Sequence, residues 1–518
     1  MNDPRGPAPW KTAAVIAAMA AVWMTTAGHT MNFREMEAAR GWIASEGYSL
    51  HSSYLFSVVL GLMIGFGSSP FSRPFEATIA GLAMLAAGSL INGTLLHAPL
   101  PLLAASRMVA GFGSGMVLSK APLLHGAGGT AQFAWSGIVL PSVAPLLLAS
   151  ATFHYGWSNW EGAFLFESLL ALTGLALVAI AGPPEEPPLL GAKPIRVAWL
   201  LPLAVAIGCF WYLLHWGQLE GWLESPRIRM AAIICAIGMS LALLLAPTGF
   251  AEWGKSAPLL AIVVTLFAGF TQYFNVSDMG VYGGLFVNFG VWERALLVWP
   301  ISCGAATAVI VARYLPRSGG FSLAGLLCIA AGMAWAHERT MGWPYWRILN
   351  QVEFNWFPAP QIWELWPPRF LMGLGTSLTL VGVQRWGLED PTREARRRHL
   401  LAISQFAGGA VSIGVLCLCL TRGTQHQYSL VSDRGFSQVP LIEEYKSITS
   451  TALARTGFSN SAKGAETLMH KAIIYEANNL VFADLYGWFA AAALGMAACV
   501  VLIPARRTGW SAFPGPRS

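Results

Sequence analysis

The chain has 518 residues, of which 55% are hydrophobic and 11% charged, and its mean hydropathy is +0.53. Soluble domains carry roughly 25% charged residues, so a water-soluble fold of this length is excluded. The formal charge of +6 sits in short segments beside apolar stretches, a pattern of membrane topology and not of a nucleic-acid surface.

In chain order, fourteen apolar stretches of about the length needed to cross a bilayer fall near 12–30, 50–69, 76–95, 99–119, 133–153, 162–182, 197–216, 229–247, 257–276, 293–313, 318–336, 369–386, 400–420 and 480–503. Lipid offers no hydrogen-bond partners, so spans this continuous satisfy their backbones as helices. Barrel strands would alternate apolar and polar residues, and these do not. The expected fold class is therefore an all-α polytopic membrane protein. Arg5 and Lys11 precede the first stretch as in a signal peptide, but thirteen more spans follow and a retained first helix is expected.

An even number of spans puts both termini on one side. Loops on that side carry Arg73, Lys120, Lys193, Arg196, Lys255, Arg313, Arg317, Arg385 and the run Arg396, Arg397, Arg398, which makes it cytoplasmic. Two long loops, 337–368 and 421–479, then face outward. The first holds Trp343, Trp346, Trp356, Trp363 and Trp366, which suits an interfacial belt or a lid on the membrane surface. Between spans six and seven, GPPEEPPLLGAKPIR reads as a cytoplasmic linker. The expected division is 1–182 as an N-terminal six-helix half, 183–256 as linker and two extra helices, and 257–518 as a C-terminal six-helix half.

A repeat supports that division. Span four begins RMVAGFGSG (Arg107 to Gly115) and span twelve begins RFLMGLGTS (Arg369 to Ser377), each Arg-x-x-x-Gly-x-Gly-Ser/Thr in the fourth helix of its half. Two related halves are what many secondary transporters use, with the substrate site between them. By contrast, GFAEWGKS (Gly249 to Ser256) matches a P-loop letter for letter but lies in a tight loop between two spans, with no strand before it. It is rejected as a nucleotide site. The seven cysteines fall in apolar stretches, and no metal-ligand spacing or nucleophile motif is present, so neither an enzymatic centre nor a metal or other cofactor is expected.

Ionisable residues inside spans are the better leads, because a charge in hydrocarbon is costly unless it faces a cavity or a partner. Arg107, about two turns into its helix, either offers a cation to the central cavity or satisfies carbonyls of neighbouring helices. Glu161 and Glu167 frame the start of span six, with Glu167 the deeper. Asp278 after span nine, and Glu293 with Arg294 at span ten, are gate or protonation groups or else ordinary helix-end charges. The end of span one places His29, Arg34, Glu35 and Glu37 at the membrane surface, and His29 alone there has an ordinary pKa near neutrality. In span five, GIVLPSVAP (Gly137 to Pro145) sets Gly137, Pro141 and Pro145 where they bend a helix, as a fixed kink or as a hinge.

These motifs resemble the major facilitator superfamily, in particular its fourteen-span drug/proton antiporter branch, which inserts two helices between six-helix halves. RMVAGFGSG resembles the family's arginine motif in the fourth helix, which implies a part for Arg107 in proton coupling. GIVLPSVAP resembles the fifth-helix antiporter motif, and HWGQLEGWLESPRIR (His215 to Arg229) the segment between the extra helices. SQFAGGAVSIG (Ser404 to Gly414), a long outer loop and YEANNLVFADLYGWF (Tyr475 to Phe489) resemble exporters of the Gram-negative inner membrane that work with a periplasmic adaptor and an outer-membrane channel. Two features depart from the family. The gate loop after span two, usually Gly-x-x-x-Asp-Arg-x-Gly-Arg-Arg, is here GFGSSPFSRPFE, which retains Arg73 and Glu76 and lacks the aspartate. The first-span aspartate is also missing, displaced to Glu35 or Glu37 if present at all. The resemblance implies a secondary transporter exporting a small amphipathic molecule or drug. Loss of the gate motif equally fits a degenerate facilitator that serves as a membrane scaffold or receptor.

Overall fold

The computed structural model describes residues 9–28, 36–37, 40–66, 73–95, 97–121, 124, 160–183, 199–245, 259–278, 291–315, 320–341, 362–385, 391–436, 439–455 and 460–502. Proline sets the start of several helices: it lacks an N–H that the first turn would leave unpaired, and its fixed φ suits that position. Thus α1 (Pro9–Gly28), α3 (Pro74–Thr94), α7 (Pro226–Leu245) and α12 (Pro391–Phe436) each begin on one. The others in the membrane are α2 (Ala44–Phe66), α4 (Leu100–Lys120), α5 (Trp160–Ala181), α6 (Leu200–Trp216), α8 (Leu259–Asp278), α9 (Val291–Tyr314), α10 (Phe321–Met341), α11 (Ile362–Arg385) and α14 (Ser461–Leu502). One further helix, α13 (Val439–Arg455), lies between α12 and α14.

Thirteen of the fourteen expected spans coincide with these helices; the fifth, 133–153, lies outside the described residues. Eight helices are long and apolar enough by themselves to cross a membrane, and four shorter apolar segments, in α1, α6, α8 and α9, accompany them. The segment 421–479, expected as a loop, is instead largely helical. At 1.5 Å per residue the 46 residues of α12 and the 42 of α14 extend about 69 and 63 Å, twice the roughly 30 Å hydrocarbon thickness. The two run side by side, joined by Tyr428 Oη and His470 Nδ1 at 3.1 Å and by Gln427 Nε2 donating to Asp484 at 2.9 Å.

The packing repeats. In the first half α4 lies against α2 and α3, and α3 against α5; in the second α11 lies against α9 and α10, and α10 against α14. Arg107 and Arg369 each stand seven residues after the first residue of their helix. The glycines after them take the same neighbours. A Cβ on Gly111 would strike the Tyr54 carbonyl of α2, and one on Gly373 the Ile301 carbonyl of α9. Gly113 likewise abuts Gly81 of α3, and Gly375 abuts Gly325 of α10. Small residues at these crossings let backbones approach where no hydrophobic force drives helices together in lipid.

The pair α6 and α7 packs mutually and leans on α2, where Trp199, Leu203 and Ala242 meet Leu60 and Met63. Its other face is apolar and exposed, as Ile233, Ile237, Leu243 and Leu244 show. Such a face is what a helix presents to lipid.

Candidate functional site

Among the described residues Arg107, Arg369 and Arg397 are buried, and the first two, with one seam between the halves, organise the interior. In the first half Arg107 Nη1 donates to Glu167 Oε2 at 2.8 Å, with side-chain exposures of 0% and 1%. Ser89 of α3 donates to the same carboxylate oxygen at 3.1 Å, so the pair ties α3, α4 and α5. The guanidinium carbon lies 4.7 Å from the centre of the Tyr54 ring and 5.0 Å from that of Phe164, within cation–π range of both. Arg107 Nε and Nη2 and Glu167 Oε1 have no hydrogen-bond partner among the described residues. A fully neutralised structural pair would commit more of its donors and acceptors. Tyr54 extends the cluster toward α1: its hydroxyl donates to Ser114 at 2.8 Å and lies 3.1 Å from Thr26 Oγ1.

In the second half Arg369, also buried, meets different chemistry. Its Nη1 donates to the Asn275 carbonyl at 3.1 Å and its Nη2 to Tyr486 Oη at 3.0 Å. Asn275 lies in the last turn of α8, where backbone carbonyls lack intrahelical donors and the helix dipole is negative, which favours a cation there.

The seam lies between the halves. Phe406 of α12 stacks on Trp23 of α1 at 5.2 Å and packs against Tyr273 of α8 at 6.1 Å. Trp23 Nε1 and Tyr273 Oη are buried and unpartnered among the described residues. Farther along, Cys417 of α12 is 3.6 Å from Ser45 Oγ of α2. Helix α12 also touches α6, since Leu214 fills the space beside Gly414. Helix α6 in turn is fastened to α2: Ser52 Oγ lies 2.6 Å from His215 Nε2, and Trp211 Nε1 donates to Ser52 Oγ at 2.9 Å.

Of the residues singled out from the sequence, Arg107 and Glu167 form one ion pair, and Arg369 occupies the equivalent node of the other half. Arg73 is exposed and pairs with Glu76 at 3.3 Å, remote from both nodes in character and burial. Asp278 closes α8, but its side chain and those of Glu293 and Arg294 lie outside the described residues, as do His29, Glu35, Gly137, Pro141 and Pro145. Glu37 is buried beside Gly47 at the start of α2. Tyr54, Trp23, Tyr273, Phe406 and His215 carry no sequence signal of their own, being uncharged or scattered residues whose meaning depends on which helix faces meet.

No family model and no curated protein matches this sequence. Its fold does match solved structures. An auto-inhibited POT family peptide transporter aligns with a TM-score of 0.56 at 15% identity, over 98% of this chain and 98% of that one. A POT family transporter in complex with 5-aminolevulinic acid gives 0.56 at 11% identity, over 96% of each. A partially occluded, inward-open form of the xylose transporter XylE from E. coli gives 0.50 at 11% identity, over 79% of this chain and 91% of that one. At such identities the likeness is one of fold. The chain is a polytopic membrane protein with the major facilitator fold.

Proposed function

We propose that this protein is a secondary transporter that moves a small amphipathic molecule outward across a bacterial inner membrane, both termini cytoplasmic, by alternating access. In this reading residues 1–182 and 257–518 rock about the seam, and 183–256 supply the linker and the inserted pair α6–α7. The observation that carries it is the repeated arginine-glycine helix, set in equal register and against equivalent neighbours in two halves of a fold shared with known transporters. The seam suits a flat apolar molecule bearing a hydrogen-bond acceptor, since aromatic faces there stand beside the uncommitted donors Trp23 Nε1 and Tyr273 Oη.

Coupling to protons falls to Arg107 and Glu167. Protonating Glu167 removes the anion facing Arg107, and the guanidinium then bears on Tyr54, which contacts Thr26 of α1. The shared gradient thereby reaches a helix at the seam. The helices beyond the membrane in 421–479 offer a docking surface for a periplasmic adaptor that leads to an outer-membrane channel.

Purified protein in liposomes, loaded with fluorescent aromatic amphiphiles and given a pH jump, tests the reading. Gradient-driven movement of at least one compound is expected, and its loss in Glu167→Gln. If no compound moves in either direction under any gradient, transport is refuted; movement indifferent to pH and to Glu167→Gln refutes the coupling alone.

A further inference from the structure

We infer that the turn between α6 and α7, together with the point where α12 leaves the membrane, forms a binding site for the phosphodiester headgroup of an anionic phospholipid. The site stands apart from the seam and from both arginine nodes. A cavity of about 710 Å³ opens there, lined by Gln218 and Leu219 of the turn and by Thr421, Arg422, Gln425 and His426 of α12. None of the six is acidic, and four carry N–H donors on their side chains. Arg422 and His426 are four residues apart on one helix and so share a face. Thr421 Oγ1 lies 3.0 Å from the Gln218 side-chain amide, which ties the turn to α12.

A second observation points to an anion held by Arg422. Its guanidinium carbon lies 5.8 Å from the centre of the Trp222 ring, so the planar fork is braced on an indole face. Trp222 has φ of 53°, and it is the one non-glycine residue with positive φ among the described residues. A bulky residue adopts that strained conformation where its surroundings require it, and the result here is an indole set beneath Arg422. The Trp222 indole N–H is buried and has no acceptor among the described residues. A braced guanidinium and the side-chain amides of Gln218 and Gln425 around one cavity match the several oxygens of a phosphodiester.

The surroundings select a lipid over a free anion. The turn joins two membrane helices, and Leu219 and Leu223 on it are exposed, so acyl chains can lie along α6 and α7 while the headgroup enters the cavity. Of the two acids in the turn, Glu220 is already engaged: Ser225 Oγ donates to it at 2.9 Å and Tyr212 Oη at 2.5 Å. Those two hydrogen bonds hold its carboxyl below the ordinary carboxylate range.

The full-length protein, delipidated in detergent, can be titrated with dioleoylphosphatidylglycerol, with dioleoylphosphatidylcholine and with inorganic phosphate, and bound molecules counted by native mass spectrometry. Saturable binding of phosphatidylglycerol is expected, weakened at least about tenfold by Arg422→Gln, less by Arg422→Lys, and unchanged by Arg455→Gln at an exposed position on α13. Circular dichroism of each variant checks that it is folded. Undiminished phosphatidylglycerol binding in folded Arg422→Gln would overturn the assignment. So would equal, variant-insensitive binding of phosphatidylcholine, and so would occupancy by inorganic phosphate that phosphatidylglycerol fails to displace, which would mark a site for the free anion.

Discussion

Arg107 and Glu167 lie sixty positions apart in sequence and meet at 2.8 Å in the interior. Each was legible alone, because a charge within an apolar span is conspicuous. Their pairing was not, since nothing in one sequence says which faces of α4 and α5 meet. The neutral residues around them were less legible still: a tyrosine such as Tyr54 is ordinary in a membrane helix until a guanidinium is found over its ring. Removing one member of a buried pair leaves an uncompensated charge and typically costs about 3–5 kcal/mol, whereas replacing both with apolar groups is often nearly neutral. Arg107→Met and Glu167→Met should therefore each lower the unfolding temperature in detergent more than the double variant does. Simple addition of the two losses would mean that the groups do not sense one another. Arg369 likewise joins helices of its half, through the Asn275 carbonyl and the Tyr486 phenol.

At the scale of helices, the repeat was legible where glycine follows arginine, whereas hydropathy placed the start of four spans after the prolines that open α1, α3, α7 and α12. The extensions of α12 and α14 were hidden, because beyond residue 420 the composition turns polar and a hydropathy reading hears only a loop. What holds them up is mutual: Gly423 of α12 receives Val481 of α14, Thr424 bonds Asn478, and α13 packs on α14. In the proposed reading the extensions bear on a partner and not on the transport path. Replacing 429–463 with a short Gly/Ser linker should leave movement across liposome membranes intact and reduce export from cells with a two-membrane envelope. An equal loss in both assays would place the extensions in the transport step itself and remove the case for a docking surface.

For the whole molecule the proposed alternating access turns on the contacts that join residues 1–182 to residues 257–518, some of which it requires to break. Helix α12 is central to them: it packs on α8 in its own half, on α2 in the other and on α6 of the inserted pair. Because α6 is also fastened to α2 through Ser52 and His215, the proposed cycle has the inserted pair follow the first half and move against Gly414 of α12. Ser45 and Cys417 mark the place where α2 and α12 touch, with Oγ and Sγ 3.6 Å apart. A disulfide needs its sulfurs at about 2.05 Å, a closure within reach of small side-chain rotations. Oxidation of Ser45→Cys, which leaves Cys417 as its partner, should link the halves and bring transport in liposomes to background, and reductant should restore it. The same treatment of Ser45→Cys combined with Cys417→Ser should have no effect. Full transport by the cross-linked protein would mean that α2 and α12 stay together throughout the cycle, and that the rocking of one half against the other assigned to this fold does not open at that end.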